Sequence, residues 1–398
     1  MLPGQVGGPH PRKLYFAVFG SGLGHAARGV SLGELLRGRG YRCLFSSSGQ
    51  ALSYLTAHGE REVVRSPPLD VEWTEAGGFS ASQFLPRFQF MFNSFLKQVA
   101  FEEKSIAKFD PRLVVSDSRL SAVFAARAKS YPVVTILNQF KVAFPPRFRG
   151  KVGRLYERFA GDVLGLLWSL SDQVLMTDLP PPYTIAEANI VGTDVSNIAQ
   201  FVGFTSPVPE ISEDRLKKTK ASLGIDSRPL VFCQISGPDA TKKWFLETSL
   251  QAAKDLSREY NVVISAGRAG GSQEPSRLAN GALLFEWCPI KDELFEMADL
   301  LVARAGHGTI GQCIGAGKPA VLVPIHNHPE QMGNADKFQR LGLGLQIRSE
   351  KLSAGRLVES VQLCLADSKF KNSVEALREF SKKYNGLERC AEVIGSYS

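Results

Sequence analysis

His25 closes a run of small residues, Gly20-Ser21-Gly22-Leu23-Gly24, that follows the apolar stretch Leu14–Phe19. A buried strand, a glycine turn and a helix in that order place the imidazole at the positive end of the helix. Such a position disfavours an imidazolium, so a histidine there is suited to take a proton. Gly22 and Gly24 leave bare backbone that a ligand could approach closely. A base of this kind gains from a carboxylate on its second ring nitrogen. Asp117 ends the strand-like run Leu113-Val114-Val115-Ser116, at the edge where ligands of open α/β sheets collect. The blander readings are a capping or buried histidine and an aspartate that caps a helix.

A second constellation lies in the other half of the chain. Leu300-Leu301-Val302 runs into Ala303-Arg304-Ala305-Gly306-His307-Gly308-Thr309, and Ala320-Val321-Leu322-Val323 runs into His328-Pro329-Glu330-Gln331. Two strand-to-helix turns of this type gather unpaired backbone N–H groups around one crevice, which suits a phosphorylated nucleotide. Leu230–Ile235 ends in Ser236-Gly237, a hydroxyl and an amide that could donate to a diphosphate. Leu283–Phe285 leads to Trp287-Cys288-Pro289, and a ring at such an edge can stack on a flat base or serve as core.

The elements that must position these groups alternate strand and helix along the 398 residues, which predicts α/β domains, doubly wound on parallel sheets. Strands are expected at Leu14–Phe19, Tyr41–Ser46, Glu62–Arg65, Leu113–Ser116, Val133–Leu137 and Gln173–Thr177. The second set is Leu230–Ile235, Val262–Ser265, Leu283–Phe285, Leu300–Val302 and Ala320–Val323. Gly203–Ser212, with Pro207 and Pro209, reads as a linker, and Glu213–Leu223 as the helix that restarts the pattern. The expected division is 1–205, 206–385 and a final segment, 386–398, that could pack back on the first domain. From Leu352 to Ile394 the pattern is nearly all helical.

Composition excludes several classes. No run of about 18 apolar residues occurs and the first residues lack a secretory apolar core, so a cytoplasmic protein is expected. Six scattered cysteines with no C-x-x-C pair indicate neither a disulfide framework nor a zinc site. The formal charge of +8 suits anionic ligands or an anionic membrane surface. A dinucleotide fingerprint is disfavoured: His25 stands where the third glycine belongs, and the second strand ends in Phe45-Ser46-Ser47-Ser48 without a carboxylate. Two stretches crowd rings among cations. One is Phe79–Phe109 with Arg87, Lys97, Lys104 and Lys108; the other runs from Phe140-Lys141 through Phe148-Arg149 to Arg158-Phe159. They read either as helices packing rings into the first domain or as a surface lying on a membrane and gripping a lipid acceptor.

Taken in order, Trp287 and Pro289, Gly306 and Thr309, Gly317 and Pro319, and Glu330-Gln331 before Asn334-Ala335 resemble the donor signature of nucleotide-sugar glycosyltransferases of the GT-B fold. The lipid II N-acetylglucosaminyltransferase and UDP-glycosyltransferase families are the nearest likenesses. The resemblance implies two Rossmann-like doubly wound parallel-sheet domains facing a cleft. It implies Trp287 over a uracil whose edge is read at the Cys288 backbone. It further implies a diphosphate held by Arg304 and the amides of Gly306, Gly308 and Thr309 with His307 among them, and Glu330 and Gln331 on the sugar hydroxyls. His25 and Asp117 match the base and the aspartate that orients it.

Two positions depart from the pattern. Gln312 stands where a ribose-binding glutamate is usual and Ile290 where a glutamine often follows W-x-P. An amide forgoes the charge-assisted strength of a carboxylate.

The expected activity is therefore inverting, metal-independent transfer of a hexose or N-acetylhexosamine from a UDP-sugar. The acceptor hydroxyl would sit on a glycan, a lipid-linked or a small-molecule partner. Neither a cofactor nor nucleic acid is expected. A UDP-sugar 2-epimerase or hydrolase on the same scaffold, and a non-catalytic nucleotide- or glycan-binding subunit, are the alternatives.

Overall fold

The computed structural model describes residues 12–21, 23–69, 81–140, 151–190, 199–206 and 210–397, with side chains left undescribed in 81–89 and 151–157. In the first half, strands and helices run β1 (Arg12–Val18), α1 (Leu23–Gly38), β2 (Tyr41–Ser47), α2 (Gly49–Ala57), β3 (Val63–Arg65) and α3 (Ala81–Phe109). They continue as β4 (Leu113–Asp117), α4 (Leu120–Ala128), β5 (Val133–Leu137), α5 (Lys151–Trp168), β6 (Gln173–Met176) and β7 (Ala199–Phe201). The second half comprises α6 (Glu213–Leu223), β8 (Leu230–Gln234), α7 (Asp239–Leu256), β9 (Asn261–Ser265), β10 (Ser276–Arg277), β11 (Leu283–Phe285) and α8 (Lys291–Met297). After these come β12 (Leu300–Ala303), α9 (His307–Ala316), β13 (Ala320–Leu322), α10 (Pro329–Arg340) and β14 (Gly344–Gln346), then α11 (Ala354–Ala366), α12 (Ser368–Ser381) and α13 (Gly386–Ser396).

Two seven-stranded sheets result, one per half, ordered β3-β2-β1-β4-β5-β6-β7 and β10-β11-β9-β8-β12-β13-β14. Every described pairing is parallel except β10 with β11. Parallel strands are covered by helices on both faces, which is why β4 and β5 are apolar nearly throughout and wholly buried. In each sheet the chain order reverses at one point, between β1 and β4 and between β8 and β12. Loops leaving the carboxyl ends of those pairs diverge and open a crevice. His25 and Asp117 belong to the first such point; Ser236, Gly237 and the start of α9 belong to the second.

The short edge strands β7, β10 and β14 were not foreseen. Two or three residues with one neighbour are too brief to show a pattern of their own. The last helix, α13, returns to the first half, where Cys390, Ala391 and Ile394 share a core with β1, β2 and α1. Burying an isoleucine this way contributes about 1.5–3 kcal/mol. Among the described residues no helix is long and apolar enough to cross a membrane.

Candidate active site between the two sheets

In the first sheet, Asp117 pairs in register with Val18, the last residue of β1. The turn after Val18 brings α1 back over β4, and His25 lands beside that carboxylate. His25 Nδ1–H donates to Asp117 Oδ1 at 2.7 Å, which leaves Nε2 as the ring nitrogen with a lone pair. The imidazole keeps 20% of its side-chain surface exposed while Asp117 is buried. A third group completes the arrangement. Arg28, one helical turn beyond His25, donates from Nε to Asp117 Oδ2 at 2.7 Å, from Nη2 to Oδ1, and from Nη1 to Thr177 Oγ1 at 3.0 Å. Burial alone would raise the Asp117 carboxyl, but the Arg28 guanidinium and His25 outweigh it and hold the pKa at about 2. Asp117 is thus a permanent anion that orients the ring.

Arg28 was not singled out in the sequence. Its one available signal is the three-residue step from His25, which places both side chains on one face of a helix. Gly24 sits exposed in the first turn of α1, with open space around its Cα. Gly22 lies outside the described residues.

In the second sheet, α9 begins directly after β12 with Gly306 as N-cap and no side-chain cap. The first-turn N–H groups of His307, Gly308 and Thr309 have no intrahelical acceptors, as at any helix start. With the helix dipole they form a site for an anion. Gly237, at φ 109° after β8, adds a turn that only glycine adopts comfortably. A Cβ there would press on Thr241 Oγ1 at 3.1 Å and Ile325 Cδ1 at 3.3 Å. Ser236 beside it is half-buried, as is Gln312 on α9. Trp287 keeps 36% of its surface exposed, whereas the Cys288 thiol is buried, with its pKa pushed up to about 12 by desolvation.

One expected contact, the Arg304 guanidinium on a diphosphate, is not what the structure shows. Arg304 does not turn into the crevice: it is 3% exposed, with Nη1 donating to Val323 O at 3.0 Å and Nη2 to Thr241 O at 2.6 Å. Its guanidinium carbon lies 4.5 Å from the centre of the Phe245 ring. Two of the five guanidinium N–H groups are thus held by backbone carbonyls and its face rests on a ring, which turns the side chain into the domain. It remains a buried cation with Nε unpartnered, and desolvation lowers its pKa to about 10. The His307 side chain also turns away, towards the first half. Its Nε2 lies 3.1 Å from Asp178 Oδ2 without a hydrogen bond, and its ring is 5.4 Å from that of Phe204. Only the His307 amide is left to face a ligand.

Glu330 and Gln331 occupy the first turn of α10, whose N-cap is His328: its Nδ1 accepts from Gln331 N at 3.4 Å. Burial lowers the His328 pKa and so favours the neutral ring that an acceptor role requires. The Gln331 carbonyl accepts from Ile325 N at 3.0 Å. Glu330 Oε1 accepts from Asn138 Nδ2 at 3.3 Å. Asn138 follows β5, so this bond joins the carboxyl edges of the two sheets across the crevice.

The ring-rich stretches divide. Phe95 packs edge-on against Phe124 at 5.7 Å and Phe140 is buried, so part of each serves the core. Phe90 and Phe92 on α3, and Phe159, Val163, Leu166 and Leu170 on and just after α5, are exposed. Side chains at Phe84, Arg87 and Phe88, and residues Phe79 and 141–150, lie outside the described residues.

The chain is similar to known glycosyltransferases. Residues 240–389 match the glycosyltransferase family 28 C-terminal domain. An uncharacterized glycosyltransferase of Methanosarcina mazei is 22% identical over 386 residues, 96% of this chain and 97% of that protein. A Bacillus thuringiensis UDP-N-acetylglucosamine--N-acetylmuramyl-(pentapeptide) pyrophosphoryl-undecaprenol N-acetylglucosamine transferase is 26% identical over 194 residues, 48% of this chain and 53% of that protein. Among solved structures, the glycotransferase of kitacinnamycin superposes with a TM-score of 0.68 at 19% identity, covering 98% of this chain and 100% of that one. The spinosyn rhamnosyltransferase SpnG complexed with thymidine diphosphate gives 0.64 at 14% identity, covering 97% and 99%. Two facing parallel-sheet domains of this kind are the GT-B fold.

Proposed function

We propose that this chain, a GT-B glycosyltransferase with a family 28 C-terminal domain, moves a hexose or N-acetylhexosamine from UDP to an acceptor hydroxyl with inversion. The observation that carries the reading is the His25–Asp117 pair at the switch point of one sheet, in a chain whose second sheet has an uncapped helix start at its own switch point. In the reaction, His25 Nε2 takes the proton of the acceptor hydroxyl. The acceptor oxygen bonds to the anomeric carbon on the face opposite the nucleotide, and the bond from that carbon to the diphosphate oxygen breaks. The leaving diphosphate keeps the electron pair. Asp117, anionic throughout, stabilises the imidazolium as it forms, as in other base–carboxylate pairs.

The donor side follows from the same physics. Amides of Gly306, His307, Gly308 and Thr309, with Ser236 and Gly237, would hold the diphosphate. Arg304 would act from behind them as a buried positive charge whose counter-ion arrives with the donor. Such fixed charge would serve without a metal ion. Trp287 would cover the base, Cys288 would present backbone to its edge, Gln312 would meet the ribose, and Glu330 and Gln331 would read the sugar. The uridine preference is supported by the name of the Bacillus relative, which is a UDP-N-acetylglucosamine enzyme.

The acceptor we favour is lipid-linked, met at the cytoplasmic face of a membrane. Phe159, Val163, Leu166 and Leu170 recur at spacings of four, three and four, one face of a helix, and Phe159 and Leu166 are each 66% exposed. The exposed rings of α3 belong to a helix that shares with α5 the neighbour α4. Apolar surface of this kind beside cations suits an acyl boundary. Calorimetry with UDP, dTDP and GDP, followed by product analysis of each sugar nucleotide with and without a polyprenyl-linked acceptor, tests the reading. Transfer from a UDP-sugar that survives EDTA is expected. Release of free sugar or an epimer without use of any acceptor would refute it.

A further inference from the structure

The exposed-looking polar face of α10 is a docking strip. Glu330, Gly333, Lys337 and Arg340 recur at spacings of three, four and three, the pattern of a single helix face. Each of them meets the first domain. Glu330 accepts from Asn138; a Cβ on Gly333 would come within 3.0 Å of Ala188 Cβ. Lys337 Nζ lies 3.1 Å from Glu187 Oε2, and Arg340 Nη2 donates to the same oxygen at 2.8 Å. Lys337 is buried at 6% exposure and pairs there with that carboxylate.

The partners on the first domain form one unit. Glu187, Ala188 and Asn189 are the successive residues of a 3-10 turn. Asn189 Nδ2 donates to Gln139 Oε1 at 2.8 Å, and Phe140 N donates to Asn189 O at 3.1 Å. The turn that clamps Lys337 therefore also holds the loop that presents Asn138. At the clamped end the contacts are charged and doubled. At the crevice end there is a single amide–carboxylate bond of 3.3 Å, longer than the usual N–H···O range.

We infer that Asn138 is a donor-sugar positioning residue: with Glu330 it forms a cross-domain pair that a sugar hydroxyl joins, donating to the carboxylate and accepting from the amide. This rests on the reading of Glu330 as a sugar contact. Sugar recognition then requires both domains at once, and the donor is aligned only when the strip along α10 is seated.

The test measures affinity for UDP and for the preferred UDP-sugar, together with kcat and donor KM, in wild type, Asn138→Ala, Asn138→Asp, Glu330→Gln and the double variant Asn138→Asp/Glu330→Gln. Asn138→Asp keeps the shape and replaces a donor with an acceptor. The expected result is unchanged UDP affinity in every variant. The extra affinity due to the sugar should fall about ten-fold in Asn138→Ala and further in Asn138→Asp, where two carboxylates face each other. The double variant restores an amide–carboxylate pair in reverse, and should bind and turn over the donor better than Asn138→Asp. A wild-type sugar increment in both Asn138 variants, or a double variant no better than Asn138→Asp, overturns the inference while leaving the functional reading intact. No UDP binding by the wild-type protein overturns the functional reading and the inference with it.

Discussion

Arg28 and Asp117 form a two-pronged ion pair in which Nε donates to Oδ2 at 2.7 Å and Nη2 donates to Oδ1, the same oxygen that His25 Nδ1 approaches. The carboxylate that orients the base is thereby held from two sides. A base whose ring is fixed before substrate arrives needs no reorganisation at the moment of proton transfer.

Removing Arg28 should be felt first in stability. Asp117 has a folded pKa of about 2, below its ordinary value of 3.8, so its contribution is fully present above about pH 4 and is lost as pH falls through about 2. Arg28→Met strands the carboxylate beside the imidazole alone. It should cost about 3–5 kcal/mol at neutral pH and move acid unfolding to milder pH, which urea midpoints measured between about pH 3 and 7 would show. An unchanged acid limb would mean that the pair does not hold the aspartate down.

Asp117→Asn keeps the shape and removes the charge. The ring then loses its tautomer control and its counter-ion, so kcat should drop by roughly 10²–10⁴ while donor KM changes little. A variant that loses KM instead would place Asp117 in donor binding.

Arg304 is predicted to act through charge without contact. Arg304→Gln keeps a donor for one of the two carbonyls and removes the positive field behind the α9 amides. UDP affinity should fall about ten-fold, equivalent to about 1.4 kcal/mol. Equal affinity at low salt would relegate Arg304 to packing alone.

Trp287 is exposed just after β11, where the proposed function puts it over the base. Trp287→Ala should weaken nucleotide binding by about 1–3 kcal/mol, the range for stacking on a base, and leave the melting temperature nearly unchanged. Calorimetry with UDP decides it.

The α5 ridge gives a separate outcome. Phe159→Glu with Leu166→Glu alters only exposed positions, so folding should persist while co-sedimentation with anionic vesicles falls. Vesicle binding equal to wild type would remove the membrane from the account.

The core strands were legible in the sequence because a parallel strand buried on both faces is a nearly continuous apolar run, as in Leu113-Val114-Val115 and in Val133–Leu137 with its single threonine. The two switch-point loops were legible because glycine turns follow such runs. What stayed hidden depends on neighbours distant in sequence. Arg28 reads as a solvated helix cation until β4 is known to lie against α1. Arg304 reads as a phosphate ligand until Phe245 and the Thr241 and Val323 carbonyls are seen to occupy it. Gly333, Lys337 and Arg340 carry no sequence signal of their own, and only the turn Glu187–Asn189 reveals them as an interface.

The central claim is that an imidazole on one domain and a diphosphate site on the other serve one transfer reaction, and the most direct measurement is the His25→Ala variant assayed twice. UDP affinity should match wild type while the rate of sugar transfer falls by roughly 10²–10⁴. Transfer at the wild-type rate, or loss of UDP binding in step with activity, would contradict it.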